Sequence, residues 1–217
     1  MRPDRLITVA IADDHKLIRK GICTMIESFK GFNVVTESDD GSDLLRKLSE
    51  MEVLPDISIL DVSMKQLNGF DTLTAIKQNW PSIKVLMLSM YSSRFNITRA
   101  FKLGANGYLL KDSDPSELRD ALRKVHKNDI YISKQISREV LKNIKNENIQ
   151  LPKITDREME FLALCCTELT YAEVAEQMGI SHRTVESYRD SLFAKLGVSS
   201  RSSLVIHALQ NGMIPIG

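Results

Sequence analysis

The sequence has too little cysteine for disulfide chemistry. It has three, Cys23, Cys165 and the adjacent Cys166, an odd count whose spacing makes neither a disulfide framework nor a zinc site. They read as small apolar residues in a reducing compartment. Glycine (10) and proline (6) are sparse, which excludes collagenous and low-complexity chains. An excess of one charge is missing too: 29 Lys and Arg face 28 Asp and Glu, a net of +1. The chain is no wholesale polycation, although a local basic stripe suffices for nucleic acid. No apolar run approaches the ~18–20 residues of a membrane span. The run LITVAIA at 6–12 follows Arg5 and ends in an Ala10-Ile11-Ala12 that imitates a signal-peptidase site. It is short, β-branched and stops at two aspartates, so a strand is expected and not a leader. The expectation is a cytoplasmic protein with no membrane partner.

What is present is 217 residues, 43% hydrophobic and 26% charged, enough for one or two globular domains. Residues 6–127 alternate short β-branched runs with longer segments of helical period, the pattern of βα units on a parallel sheet. Five strands are expected, at 6–12, 32–37, 57–61, 83–89 and 107–110. Between the first two, Ile18, Ile22, Met25, Ile26 and Phe29 share one helical face. Asp114-Pro115-Ser116-Glu117 reads as an N-cap, a first-turn proline and a capping-box glutamate. From 128 to 152 the pattern weakens into a linker, where Ile136, Val140 and Ile144 could form one short amphipathic helix. Beyond Pro152 only helical segments remain, near 156–167, 171–178, 182–196 and 201–212. Thr155 and Glu158 form a capping box for the first, and Ile154 is placed to staple against Met159.

In an open parallel sheet, ligands bind outside the carboxyl ends of the strands. Strand 1 runs into Asp13-Asp14, strand 3 ends at Asp61, strand 4 at Ser89, and Lys111 lies just past strand 5. Converging carboxylates raise one another's pKa unless a cation sits among them. An oxygen-only donor set favours magnesium, which usually takes one or two carboxylates plus phosphate oxygens. Asp61 is then a candidate nucleophile toward phosphorus, giving an aspartyl phosphate. Lys111 would meet the phosphoryl oxygens as a point charge, and Ser89 would donate a hydroxyl hydrogen bond. His15 is expected to open the first helix.

These residues carry a resemblance. IADDH, Asp61 in PDISILDVSM, Ser89 in VLMLS and GANGYLLKD at 104–112 resemble the receiver domain of two-component response regulators over residues 5–127. The resemblance implies a flavodoxin-like, doubly wound (βα)5 fold with strand order 2-1-3-4-5. It also implies magnesium held by Asp13, Asp14, Asp61 and the backbone carbonyl of Ser63, a sensor histidine kinase as phosphoryl donor, and Tyr108 as the switch aromatic. The family usually has Met-Pro after the phosphoacceptor; here Met64 is followed by Lys65, which frees the loop backbone. A rival reading is a phosphate-ester hydrolase using an aspartyl phosphate, but the haloacid-dehalogenase type needs a second aspartate where this chain has Ser63.

In YAEVAEQMGISHRTVESYRD at 171–190, Val174, Ala175, Met178, Gly179, Ile180, Val185 and Tyr188 supply the apolar and turn positions of a helix-turn-helix, with Ser181 as N-cap of the second helix. Residues 153–179 hold two basic and six acidic groups, net −4, while 180–217 hold four basic and two acidic, net +2. The second half therefore attracts phosphate. Arg183, Glu186, Ser187 and Asp190, with Thr184 and Arg189 on the same helix, are candidates for groove contacts; Lys195 and Arg201 suit backbone phosphates. A helical protein-docking module is the alternative. Residues 154–214 resemble the LuxR-type helix-turn-helix of the NarL/FixJ subfamily, which implies a four-helix DNA-binding domain at 153–217, promoter DNA as partner, and a last helix that serves dimerisation. The expected protein is α/β plus all-α, a homodimer at least when phosphorylated, and no multiple-turnover enzyme.

Overall fold

The computed structural model describes residues 5–90, 94–134, 136, 154–210 and 213–214, which fall into two compact units. The first unit is a parallel sheet of β1 (Ile7–Ala12), β2 (Phe32–Ser38), β3 (Ile57–Asp61), β4 (Lys84–Ser89), β5 (Gly107–Leu110) and β6 (Tyr131–Ile132), in the order β2-β1-β3-β4-β5-β6. Its helices are α1 (Lys16–Ser28), α2 (Gly41–Glu50), α3 (Gly69–Asn79), α4 (Arg94–Lys102) and α5 (Pro115–His126). The first five strands match the sequence expectation to within a residue or two at either end. The sheet is covered on both faces, which is why β3 and β4 read as continuous apolar runs. Val9, Ile11, Ile59, Leu86 and Leu109 pack with Ile22 and Ile26 of α1 and Leu118 and Leu122 of α5. Ala10, Leu60, Val85, Met87 and Tyr108 point the other way, among Leu44 of α2, Leu73 and Ile76 of α3 and Ile97 of α4.

Three local features depart from expectation. The buried face of α1 is Arg19, Ile22, Cys23 and Ile26, while Ile18 is exposed. Proline does open α5, but the Asp114 side chain makes no cap; Glu117 turns instead to the strand after the helix. That strand is the third departure, because β6 lies inside the segment assigned to the linker and pairs with β5, Gly107 against Tyr131 and Tyr108 against Ile132. Ile136 is buried in the core. Val140 and Ile144 of the expected linker helix lie outside the described residues, as does most of 128–152.

The second unit has four helices among its described residues: α6 (Asp156–Cys165), α7 (Tyr171–Met178), α8 (His182–Leu196) and α9 (Arg201–Gln210). Thr155 and Glu158 form the capping box on α6, and Thr170 with Glu173 repeats the device on α7. The core joins Phe161, Leu162, Val174, Met178, Val185, Leu192, Leu204 and Ala208, with Ile154 and Met159 packed at its edge. Gly179 ends α7 at φ 64°, a left-handed conformation that residues with a Cβ adopt at a cost. It lets the chain turn directly into the Ser181 cap of α8.

Candidate functional site

The parallel ladder brings the carboxyl ends of the strands to one rim. Asp61 pairs with Leu88 and Ser89 with Leu110, and the Lys111 N–H extends the ladder to the Ser89 carbonyl at 2.8 Å. Asp13 and Asp61 are 0% and 3% exposed. Lys111 Nζ lies 2.8 Å from Asp13 Oδ2 and 2.8 Å from Asp61 Oδ2. Asp13 Oδ1 accepts the His15 N–H at 2.8 Å, and Asp61 Oδ1 the Ser63 N–H at 3.3 Å. His15 opens α1, and its ring also leans over the acids, with Nδ1 2.9 Å from Asp14 Oδ1 and 3.9 Å from Asp61 Oδ2. The loop after Asp61 folds back tightly. A Cβ on Gly69 would stand 2.1 Å from the Asp61 carbonyl oxygen, so Gly69→Ala must displace backbone at the site. It should lower stability by about 1–3 kcal/mol, read by denaturant titration.

Burial pushes the Asp61 carboxyl above its ordinary value, and Lys111 pulls against that rise. Among the described residues, Asp13 Oδ2, Asp14 Oδ1 and Asp61 Oδ2 make no well-directed hydrogen bond; Lys111 and the His15 ring stand nearest to them. One lysine cannot balance three carboxylates. The ligand atoms of Asp13, Asp14, His15 and Asp61 lie within 4.8 Å of one another, and the orphaned, mostly oxygen donors fit a hard divalent cation.

Ser89 and Tyr108 are both buried. The Tyr108 phenol is hydrogen-bonded to Ser89, and burial raises its pKa. Sequence reasoning missed Arg19. Its guanidinium donates to the Asp13 carbonyl and pairs with Glu37 at 3.3 Å and with Asp39, tying the turn that carries the acid pair to the end of β2. The signal was legible as a charge on the stripe 19, 22, 23, 26.

In the helical unit, Arg183, Ser187 and Asp190 are exposed on α8, with Thr184, Glu186 and Arg189 half-buried beside them. Thr184 Oγ1 lies 2.8 Å from Ser181 Oγ, and Arg189 Nε donates to Asp190 at 2.9 Å. Two expected phosphate ligands are otherwise engaged. Lys195 Nζ sits 2.7 Å from both Glu158 oxygens. Arg201 donates to the Cys165 carbonyl at 3.1 and 3.2 Å and the Thr167 carbonyl at 3.1 Å, with its guanidinium over the Tyr171 ring. Both donors therefore already have partners within the fold.

An acidic pocket on the rim of this sheet, in a chain that ends in a helix-turn-helix, defines a response regulator. The chain belongs to that family: residues 9–123 match the response regulator receiver domain, and residues 152–208 match the bacterial regulatory proteins of the luxR family. It is similar to the response regulator protein VraR of Staphylococcus saprophyticus, 29% identical over 208 residues, covering 96% of this chain and 99% of that protein. VraR of Staphylococcus epidermidis is 30% identical over the same shares. Among solved structures it resembles Salmonella typhimurium RcsB, with TM-score 0.67 and 26% identity over 95% of this chain and 98% of that one. RcsB of Salmonella enterica serovar Typhimurium bound to promoter rprA in the presence of the phosphomimetic BeF3− gives TM-score 0.66 and 27% identity over 94% and 98%. A structure of two RcsB dimers bound to two parallel DNAs gives 0.60 and 27% over 95% and 99%. Among the described residues no helix is long and apolar enough to cross a membrane.

Proposed function

We propose that the chain is a cytoplasmic transcription regulator switched by phosphorylation of Asp61. The observation that carries this is the pairing of Lys111 Nζ with both Asp13 and Asp61 at 2.8 Å in a buried acidic pocket. Asp13, Asp14, Asp61 and the Ser63 carbonyl would hold Mg2+. When bound, the ion would neutralise the pocket and the phosphoryl oxygens, so that a carboxylate can approach phosphorus. A phosphohistidine on a sensor kinase is the donor. An Asp61 carboxylate oxygen bonds to phosphorus, the N–P bond breaks, and the imidazole nitrogen keeps the electron pair and takes a proton. Lys111 then trades a carboxylate partner for phosphoryl oxygen. Ser89 turns its hydroxyl to the new group and gives up Tyr108, which must repack. The added charge of about −2 biases a pre-existing equilibrium toward a dimer that binds promoter DNA. The only chemistry in this reading is self-phosphorylation and slow dephosphorylation at Asp61.

The domain limits that go with this reading are 5–127 and 153–217, with β6 docked on the first domain. DNA contact falls to the exposed side of α8: Arg183, Thr184, Glu186, Ser187, Arg189 and Asp190. The acidic members suit cytosine amino groups and not phosphates. Lys195 and Arg201 are positioning residues for α8 and α9. The DNA-bound RcsB relatives support this orientation of function. Footprinting of genomic fragments, with and without a small phosphodonor and magnesium, tests it. The expected result is a two-fold protected site with half-sites about one turn, ~10 bp, or a multiple apart. Absence of any such site in both states would sink the reading. Arg183→Ala should weaken DNA binding at least ~10-fold in low salt without lowering thermal stability; intact binding would favour a protein-docking module.

A further inference from the structure

The receiver domain buries an acid that the phosphoryl pocket does not use. Glu117, in the first turn of α5, is 6% exposed. Its Oε1 accepts three hydrogen bonds, all from the segment that leaves the sheet: Tyr131 Oη at 3.1 Å, Ser133 Oγ at 3.0 Å and the Lys134 N–H at 2.8 Å. Burial alone would push its pKa up, but these donors outweigh it and hold the carboxyl below its ordinary value. A charged acceptor with three donors is a strong tie in a site sheltered from water.

The tied segment is bonded at the same time to the strand that carries the switch aromatic. The Tyr131 N–H donates to the Asn106 carbonyl at 3.1 Å and the Ser133 N–H to the Tyr108 carbonyl at 2.9 Å. Ser133 Oγ also lies 3.2 Å from Ser113 Oγ, two residues beyond Lys111. Tyr108, whose phenol holds Ser89, and Lys111, whose ammonium holds Asp61, thus each reach Ser133 within a few covalent or hydrogen bonds. Past Ser133 the chain runs on to the DNA-binding helices.

We propose that Glu117 is a coupling residue: it clamps residues 131–134 onto β5, so that repacking of Tyr108 and Lys111 moves the chain leading to the output domain. With the clamp released, the exit segment no longer follows β5, and phosphorylation at Asp61 stops altering DNA binding. The inference rests on the reading under Proposed function and adds its transmission step.

The test uses the full chain as wild type, Glu117→Gln, Glu117→Ala and Tyr131→Phe, with acetyl phosphate and magnesium. Three quantities are recorded for each: the mass adduct at Asp61, the exchange of the 131–134 amides, and the ratio of DNA affinities with and without phosphodonor on a fragment that the wild type protects. In the Glu117 variants, labelling should stay within about twofold of wild type and the 131–134 amides should exchange at least ~10-fold faster. The affinity ratio should fall at least ~5-fold toward one. Tyr131→Phe removes one donor of three and should fall between, and it keeps the test open where Glu117→Ala does not fold. A ratio kept within about twofold despite faster exchange overturns the coupling role, and so does unchanged exchange. Loss of labelling in a folded variant overturns it too, since Glu117 would then act on the pocket itself. A wild type that takes no adduct brings down the phosphoswitch reading and this inference together; a responsive wild type with equally responsive variants brings down only the inference.

Discussion

Asp61→Asn should take up no phosphoryl group under conditions where the wild type gains about 80 Da. The carboxamide is uncharged and a poor nucleophile, so the bond to phosphorus does not form. The loss should be essentially complete, at least ~100-fold in labelling, because no other carboxylate of the pocket is placed as Asp61 is. Asp13 and Asp14 follow the end of β1, whereas Asp61 is the last residue of β3, between β1 and the strand that ends in Ser89. Chelation of magnesium should give the same null result in the wild type, since one lysine among three carboxylates leaves the pocket too negative to admit a phosphoryl group. The variant should still fold. Asparagine keeps the shape and relieves the desolvation that raises the Asp61 pKa, so its melting temperature should equal or exceed that of wild type. Wild-type labelling should stop at one adduct per chain. Steady release of phosphate from a phosphomonoester, lost in Asp61→Asn, would instead revive the hydrolase reading, although Ser63 stands where that chemistry needs a second acid.

Most of the receiver architecture was legible because its signals are local. β-branched runs of the right length sit between helical periods, and a parallel sheet brings their polar ends together whatever the loops do. The convergence of Asp13, Asp14, Asp61 and Lys111 needed only that register. What escaped the sequence are contacts set by tertiary packing. Glu117 matches a capping-box glutamate, but Tyr131, Ser133 and Lys134 offer it three donors in a buried site, and these outbid one solvated backbone N–H. β6 was hidden because two residues show no periodicity, and they fall in the stretch read as linker. Ile18 and Arg19 traded places, because a guanidinium that finds the Asp13 carbonyl and two carboxylates can be buried at less cost than its charge suggests. In the helical domain, charge counting located the basic half. It does not show which cations already face an acceptor of the fold, as Lys195 faces Glu158 and Arg201 the Cys165 carbonyl.

Glu158→Ala should strongly destabilise the helical domain. Glu158 is 4% exposed and serves two purposes at once. It closes the capping box on α6 by accepting from the Thr155 N–H at 2.7 Å, and it accepts from Ser191 at 2.5 Å and Lys195 at 2.7 Å on α8. Removing it strands a half-buried ammonium and a helix N-terminus together, at an expected cost of about 2–4 kcal/mol. For a domain of this size the loss corresponds to roughly 10–20 °C in melting temperature. Amide exchange over α6 and α8 in the full chain reads it without mixing in the receiver transition. The pH dependence follows from the same contacts. Burial would raise the Glu158 pKa, but Lys195, Ser191 and Thr155 together hold it down at about 2, against an ordinary 4.5. A depressed folded-state pKa means stability that is fully present above 4.5 and is lost as pH falls toward 2. Wild-type protection of α6 and α8 should therefore decline across that interval, and Glu158→Ala, already lacking the contribution, should show a flatter profile. If both proteins lose protection in parallel, the acid sensitivity lies elsewhere in the helical domain. Lys195→Ala separates the two roles of Glu158, because it breaks the tie to α8 and leaves the capping box: α8 protection should fall further than that of the first turn of α6.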